Sequence, residues 1–176
     1  MAGLHYFEMR NDTLNDVFAQ IVYDLCRVYD FEFKLDTAFE AINRYIKLIG
    51  ILFPEETKEH GYGQFMLGNI YMRTDHLDKS KICFQNAKQI FEKTIGIDHP
   101  DYGNCLNNFG LLCLRTGDVY LSEKLIIQGM KVRERFLEKS MDYYHSLNNL
   151  GNLYVSQFDF INAEKSYIEA GKILKL

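Results

Sequence analysis

The sequence predicts an all-α chain of four stacked helical hairpins, and three observations carry that prediction. One pattern recurs at a nearly fixed interval: Leu25-Cys26-Arg27-Val28-Tyr29, Leu67-Gly68-Asn69-Ile70-Tyr71, Phe109-Gly110-Leu111-Leu112-Cys113 and Leu150-Gly151-Asn152-Leu153-Tyr154. Its small residue falls at 26, 68, 110 and 151, and a period of that size belongs to an array of like units, each too small to bury its own apolar face. Within a unit, apolar residues recur at three- and four-residue steps, the spacing of one helix face. Between its two helical stretches the third unit carries Arg115-Thr116-Gly117-Asp118, where Gly117 is expected to end a helix in a left-handed cap.

The elements follow in order from this frame. The first helix of the third unit places Leu106, Phe109, Gly110, Cys113 and Leu114 on one face, and its second helix does the same with Leu121, Leu125, Ile126 and Met130. Three columns align in all four units: Ala38, Ser80, Ser122 and Ala163; Leu35, Leu77, Val119 and Phe160; and Ile42, Phe84, Ile126 and Tyr167. The small column marks where two helices approach closely. The expected organisation is an N-terminal extension over 1–11 and repeats over 12–53, 54–96, 97–138 and 139–176. Asp12 or Thr13 is expected to cap the first helix. Asp98, next to His99 and Pro100, is expected to cap the helix that opens the third unit, its carboxylate accepting orphan backbone amides.

Composition excludes several functions. The 176 residues are 47% hydrophobic and 25% charged, with a net charge of −4, which suits a folded soluble domain and disfavours the clustered basic surface a nucleic-acid grip needs. No run of 18 apolar residues exists to span a membrane, and the N-terminus lacks a secretory pattern, so cytoplasmic residence is the expectation. The cysteines at 26, 83, 105 and 113 form no CxxC pair and read as small buried hydrophobes. The histidines at 5, 60, 76, 99 and 145 make no HExxH arrangement, and no GxSxG or glycine-rich phosphate loop occurs, so no metal, no cofactor and no enzymatic activity are expected.

The columns, with Leu147-Asn148-Asn149-Leu150-Gly151-Asn152-Leu153-Tyr154 and Cys105-Leu106-Asn107-Asn108-Phe109-Gly110 as the clearest matches, resemble the tetratricopeptide repeat over roughly residues 17 to 176. The repeat is longer than the usual form. Gly96-Ile97-Asp98-His99-Pro100-Asp101-Tyr102 leading into Leu106-Asn107-Asn108 is most similar to the kinesin-light-chain-like branch. Cys26 in place of Gly and Cys113 in place of Tyr depart from the pattern. The resemblance implies a right-handed α–α superhelix, a TPR solenoid whose concave face is lined by the first helix of each pair. It also implies a role in protein–protein interaction, binding an extended or helical peptide of a partner.

If the small residue packs between helices, the positions three before, one after and four after it point toward the groove. These are Tyr23, Arg27 and Asp30; Phe65, Asn69 and Met72; Asn107, Leu111 and Leu114; and Asn148, Asn152 and Val155, with Asn108 and Asn149 at the groove edge. Asparagine is a poor helix former, so its recurrence here wants a reason. Two readings are open: the amides pair with both backbone groups of a bound peptide, or they tie neighbouring repeats together. The resemblance places Asn108 and Asn149 in peptide-lining positions. Phe65, Met72, Leu111 and Leu114 would supply apolar contact.

Tyr29, Tyr71 and Tyr154 read as repeat core rather than ligand-stacking groups. Lys131, Arg133, Glu134, Arg135, Glu138 and Lys139 read as a solvated face with modest intrahelical pairing. At the end of the array, Ala163, Tyr167, Ile168, Ala170, Ile173 and Leu174 are expected to lack a covering helix. A longer array or a second copy would supply one. The rivals to groove binding are therefore a self-assembling scaffold and the regulatory segment of a larger signalling protein.

Overall fold

The computed structural model describes residues 16–53, 55–137 and 141–173, and among these every regular element is a helix. In chain order they are α1 (Asp16–Phe31), α2 (Leu35–Leu52), α3 (Lys58–Arg73), α4 (Leu77–Thr94), α5 (Pro100–Arg115), α6 (Val119–Leu137), α7 (Met141–Ser156) and α8 (Phe160–Ile173). They form four helical hairpins, as the period requires. The expected caps Asp12 and Thr13 lie outside the described residues.

One turn is used four times. Lys34, His76, Asp118 and Asp159 each donate their backbone N–H to the carbonyl of Tyr29, Tyr71, Cys113 or Tyr154, always at 2.9 Å. The residue before each donor has a positive φ: Phe33 (58°), Asp75 (64°), Gly117 (83°) and Phe158 (61°). This closes the first helix of every hairpin in a Schellman arrangement. Gly117 fits the expectation; the same conformation at Phe33 and Phe158 is one that bulky side chains adopt only at a cost.

The starts of the first helices differ. His99, not Asp98, caps α5: its Nδ1 accepts from the Asp101 N–H at 3.2 Å, and Pro100 occupies the first helical position, where no N–H is needed. Asp98 instead pairs with Arg135 at 2.7 Å. At α3 the Thr57 N–H donates to His60 Nδ1 at 3.2 Å.

The chain divides within α4 into two compact units, Met1–Ile90 and Phe91–Leu176. In the first unit, Cys26, Ala38, Ile42, Tyr45, Ile49, Met66 and Ile70 make one core. The Cys26 thiol donates to the Ala38 carbonyl at 3.3 Å, so the residue that replaces glycine is held against the small column it faces. In the next hairpin Ser80 Oγ donates to the Gly68 carbonyl at 2.8 Å, and Phe84 lies against Gly68.

In the second unit, Ile126, Leu150 and Leu153 form a cluster with Leu114, Val119, Ile127, Met130 and Tyr154 packed on it. A Cβ at Gly110 would lie 2.6 Å from Ile126 Cγ1, and one at Gly151 would lie 2.5 Å from Tyr167 Cε1. The small column and the Ile126/Tyr167 column thus face each other. Of the residues expected to be uncovered at the end of the array, Ala163 and Ala170 are buried, Ile168 is exposed, and Leu174 lies outside the described residues.

Candidate functional site

The first helices carry the predicted binding residues, and in the second unit two of these helices share a line of amides. Asn149 on α7 donates to Asn107 Oδ1 on α5 at 3.3 Å, and Asn107 donates to Asn108 Oδ1 at 3.2 Å. Asn107, expected on the groove surface, is only 3% exposed. Its amide is consumed in joining the two helices, because a buried amide must find partners inside the protein. Asn108 and Asn149 remain half-buried at the ends of the line, with Leu111 half-buried one turn along α5. Asn148 bonds back to the Tyr144 carbonyl of its own helix at 3.4 Å, and exposed Asn152 accepts from the Tyr167 hydroxyl at 2.7 Å. Leu114 packs on the Ile126 cluster, whereas Val155 is exposed.

In the first unit, α3 presents Phe65, Asn69 and Met72, each half-buried. The Phe65 ring lies 6.0 Å from that of Phe84. Tyr23 sits in an aromatic group with Tyr45 and Tyr62, at 5.2 and 5.7 Å between centroids. Arg27 is exposed and pairs with Asp24. Asp30 is buried and pairs with Arg73 Nε at 3.2 Å. Burial raises the Asp30 carboxyl above its ordinary value, and the Arg73 guanidinium counteracts part of that. Arg73 also covers the Phe33 ring at 5.0 Å.

Tyr29 and Tyr154 pack on the cores of their units, and Tyr71 lies 5.7 Å from the Phe39 ring, which supports the packing reading of that column. The four cysteines are free thiols and all are buried. Burial pushes Cys26 up to about 12 and Cys83 up to about 11.

Arg133 corrects the reading of the charged run on α6. It is 4% exposed. Its Nε donates to Asn104 Oδ1 at 2.8 Å, and its terminal nitrogen donates to the Asp142 carbonyl at 2.9 Å and to Ser146 Oγ. One guanidinium thereby joins α5, α6 and α7. Burial lowers it to about 10, and the charge of Asp142 opposes the shift. Lys131, Glu134 and Arg135 are exposed as expected, and Glu138 and Lys139 lie outside the described residues.

Sequence reasoning missed a pocket of about 490 Å³ in the first unit, lined by Ile46, Ile49, Glu56, His60, Gln64, Asn86, Gln89 and Ile90. It draws on α2, α3 and α4 and holds none of the predicted binding residues. Its polar residues come from separate stretches of the chain, so no local period marks it. Among the described residues, no group of three or more His, Cys, Asp or Glu could hold a metal ion, and no helix is long and apolar enough to cross a membrane.

Comparison with known proteins agrees with this geometry. Two family models, each described as a tetratricopeptide repeat, match residues 63–135 and 145–172. No curated protein matches the sequence. The structure is similar to BtubC (BKLC) from P. vanneervenii, with a TM-score of 0.77 and 22% identity over 91% of this chain. The match spans 64% of the length of that protein. It is also similar to two crystal structures of nearly identical TPR-like repeats of a putative kinesin light chain from Podosopora anserina. Their TM-scores are 0.73 and 0.74 at 16% and 15% identity; each covers 88% of this chain, and 73% and 74% of those chains. With repeat models matching three of its hairpins and a fold shared with kinesin-light-chain TPR-like repeats, the chain belongs to the tetratricopeptide-repeat family.

Proposed function

We propose that this chain is a protein-interaction module that holds an extended segment of a partner protein on its first-helix faces. Tetratricopeptide repeats generally mediate protein–protein interaction. The observation that carries the finer reading is the amide line across α5 and α7. Asn107 is fixed below the surface, and it holds Asn108 and Asn149 in place at half-buried positions. An amide side chain offers both donor and acceptor, so it pairs with a peptide backbone whatever the peptide's side chains. Asn149 spends one of its two N–H donors on Asn107. Holding these groups in place beforehand lowers the ordering cost of binding. Leu111 beside them, and Phe65 and Met72 on α3, offer apolar contact of the kind that sets preference among peptides. Nothing in this arrangement calls for a cofactor.

The test uses a displayed library of random peptides selected on the intact chain. Selected peptides are expected to bind with an affinity that falls about tenfold or more, a loss of about 1.4 kcal/mol, in Asn108→Ala/Asn149→Ala when measured by calorimetry. Unchanged affinity in the double variant would contradict the assignment.

A further inference from the structure

The pocket of the first unit joins an apolar floor to a wall of uncharged amides. Ile49 and Ile90 are buried and Ile46 is half-buried, so an occupant meets hydrocarbon on one side. Gly63 lets α3 close on that floor, since a Cβ there would lie 3.1 Å from Ile46 Cγ1. The Tyr45 hydroxyl donates to the Glu59 carbonyl at 3.1 Å and ties α2 to the start of α3. Two of the three helices around the cavity are thereby fixed before anything enters it, which lowers the ordering cost of binding.

The wall both gives and takes hydrogen bonds. Gln64 on α3 and Asn86 and Gln89 on α4 line it, and among the described residues none of these side chains has a hydrogen-bond partner. Each amide offers donors and an acceptor. His60 adds one donor: its Nδ1 accepts from the Thr57 N–H at 3.2 Å, so the ring proton lies on Nε2. No Lys or Arg lines the pocket, and Glu56 does, so an anionic occupant would meet a like charge with no cation to answer it. Elsewhere α4 exposes charge, at Lys81 and Lys93. Depletion of charge is the mark of the centre of a contact surface rather than of a solvated face.

We propose that this pocket is a binding site for an uncharged segment of a partner chain, distinct from the Asn108 and Asn149 surface. One aliphatic side chain of leucine size sits on Ile46, Ile49 and Ile90, and its flanking peptide groups pair with Gln64, Asn86 and Gln89. Each peptide group presents one N–H and one C=O, which is what an amide wall can answer. A cavity of about 490 Å³ is large enough for such a unit. The site shares no residue with the peptide surface on α5 and α7, so it stands or falls separately from that reading.

NMR of the labelled intact chain with three N-acetylated tripeptide amides tests it: glycyl-leucyl-glycine, triglycine and glycyl-glutamyl-glycine. The leucine peptide is expected to shift the side-chain NH2 signals of Gln64, Asn86 and Gln89 with a Kd of about 1 mM. The other two are expected to bind about tenfold or more weakly, for want of the buried aliphatic group. Asn86→Ala/Gln89→Ala changes two exposed residues, which keeps the fold, and is expected to weaken the leucine peptide about tenfold when followed on Gln64. Asn108→Ala/Asn149→Ala is expected to leave that affinity unchanged. No shift at saturating leucine peptide, equal shifts with all three peptides, or full affinity in Asn86→Ala/Gln89→Ala would each overturn the proposal.

Discussion

The side-chain amide of Asn149 donates to Asn107 Oδ1 at 3.3 Å, joining equivalent stretches of two repeats 42 residues apart. Asn107 is buried and Asn149 is not, so the two differ in what their loss costs. Asn107→Ala removes a buried side chain and with it both links of the line, and is expected to lower stability by about 1–3 kcal/mol, whereas at half-buried Asn149 water can take the vacated place and Asn149→Ala is expected to cost about 1 kcal/mol or less. Urea midpoints of the two variants check the order.

Arg133 is expected to be the costliest single truncation in the second unit. Its removal leaves Asn104 and Ser146 without their charged donor, and hydrogen bonds to a charged group contribute about 1.5–3 kcal/mol each. Arg133→Lys is not expected to restore stability. A single ammonium does not reproduce the fork that reaches Asn104 on one side and Ser146 and the Asp142 carbonyl on the other. Chemical denaturation of the Ala and Lys variants measures both effects.

The repeated turn gives a prediction of opposite sign. Phe158 is exposed and has a φ of 61°, a conformation that glycine adopts without strain. Phe158→Gly is expected to raise stability by up to about 1 kcal/mol. At Phe33 the same change is expected to gain less, because Arg73 lies over that ring. Gly117→Ala is expected to lose about 1 kcal/mol at the equivalent position. Thermal melts of the three variants give the ranking.

The thiols set the alkaline limit. Cys26 is raised from 9.0 to about 12 and Cys83 from 9.0 to about 11, both by burial. Below pH 9 these thiols hold their protons in folded and unfolded chains alike. Above it the unfolded chain loses them first, so stability is expected to fall progressively as pH rises from about 9 toward 12. Burial lowers Arg133 to about 10 and gives a smaller trend of opposite sign, since the folded chain sheds that proton first. Guanidinium unfolding at pH 7 and pH 10 measures the net fall. At pH 8 the four buried thiols are expected to react with a thiol reagent only after denaturant is added.

Much of this fold was legible in the sequence because stacking repeats impose their columns on it. The small residues at 26, 68, 110 and 151, and the Ile42/Phe84/Ile126/Tyr167 column that faces them, are a direct imprint of helix packing. The site was less legible. Which of Asn107 and Asn108 turns inward depends on α7, contributed from the following repeat, and local period carries no record of it. Arg133 stood in a run of mixed charge, and its burial comes from Asn104 on one side and Ser146 on the other. Phe33 and Phe158 hid a turn that Gly117 announced, because the Schellman closure is enforced by backbone bonds that any residue can make. At the start of α5, His99 displaced Asp98 as cap because Pro100 fixed the first helical position one residue later.

The central claim is that the amides at the ends of the Asn149–Asn107–Asn108 line meet the backbone of a bound peptide. Side-chain NH2 resonances report this most directly, followed by NMR as a library-selected peptide is added to the labelled chain. The signals of Asn108 and Asn149 are expected to shift with the peptide while that of buried Asn107 moves least. Shifts confined to the second helices α2, α4, α6 and α8, with Asn108 and Asn149 unmoved, would contradict it.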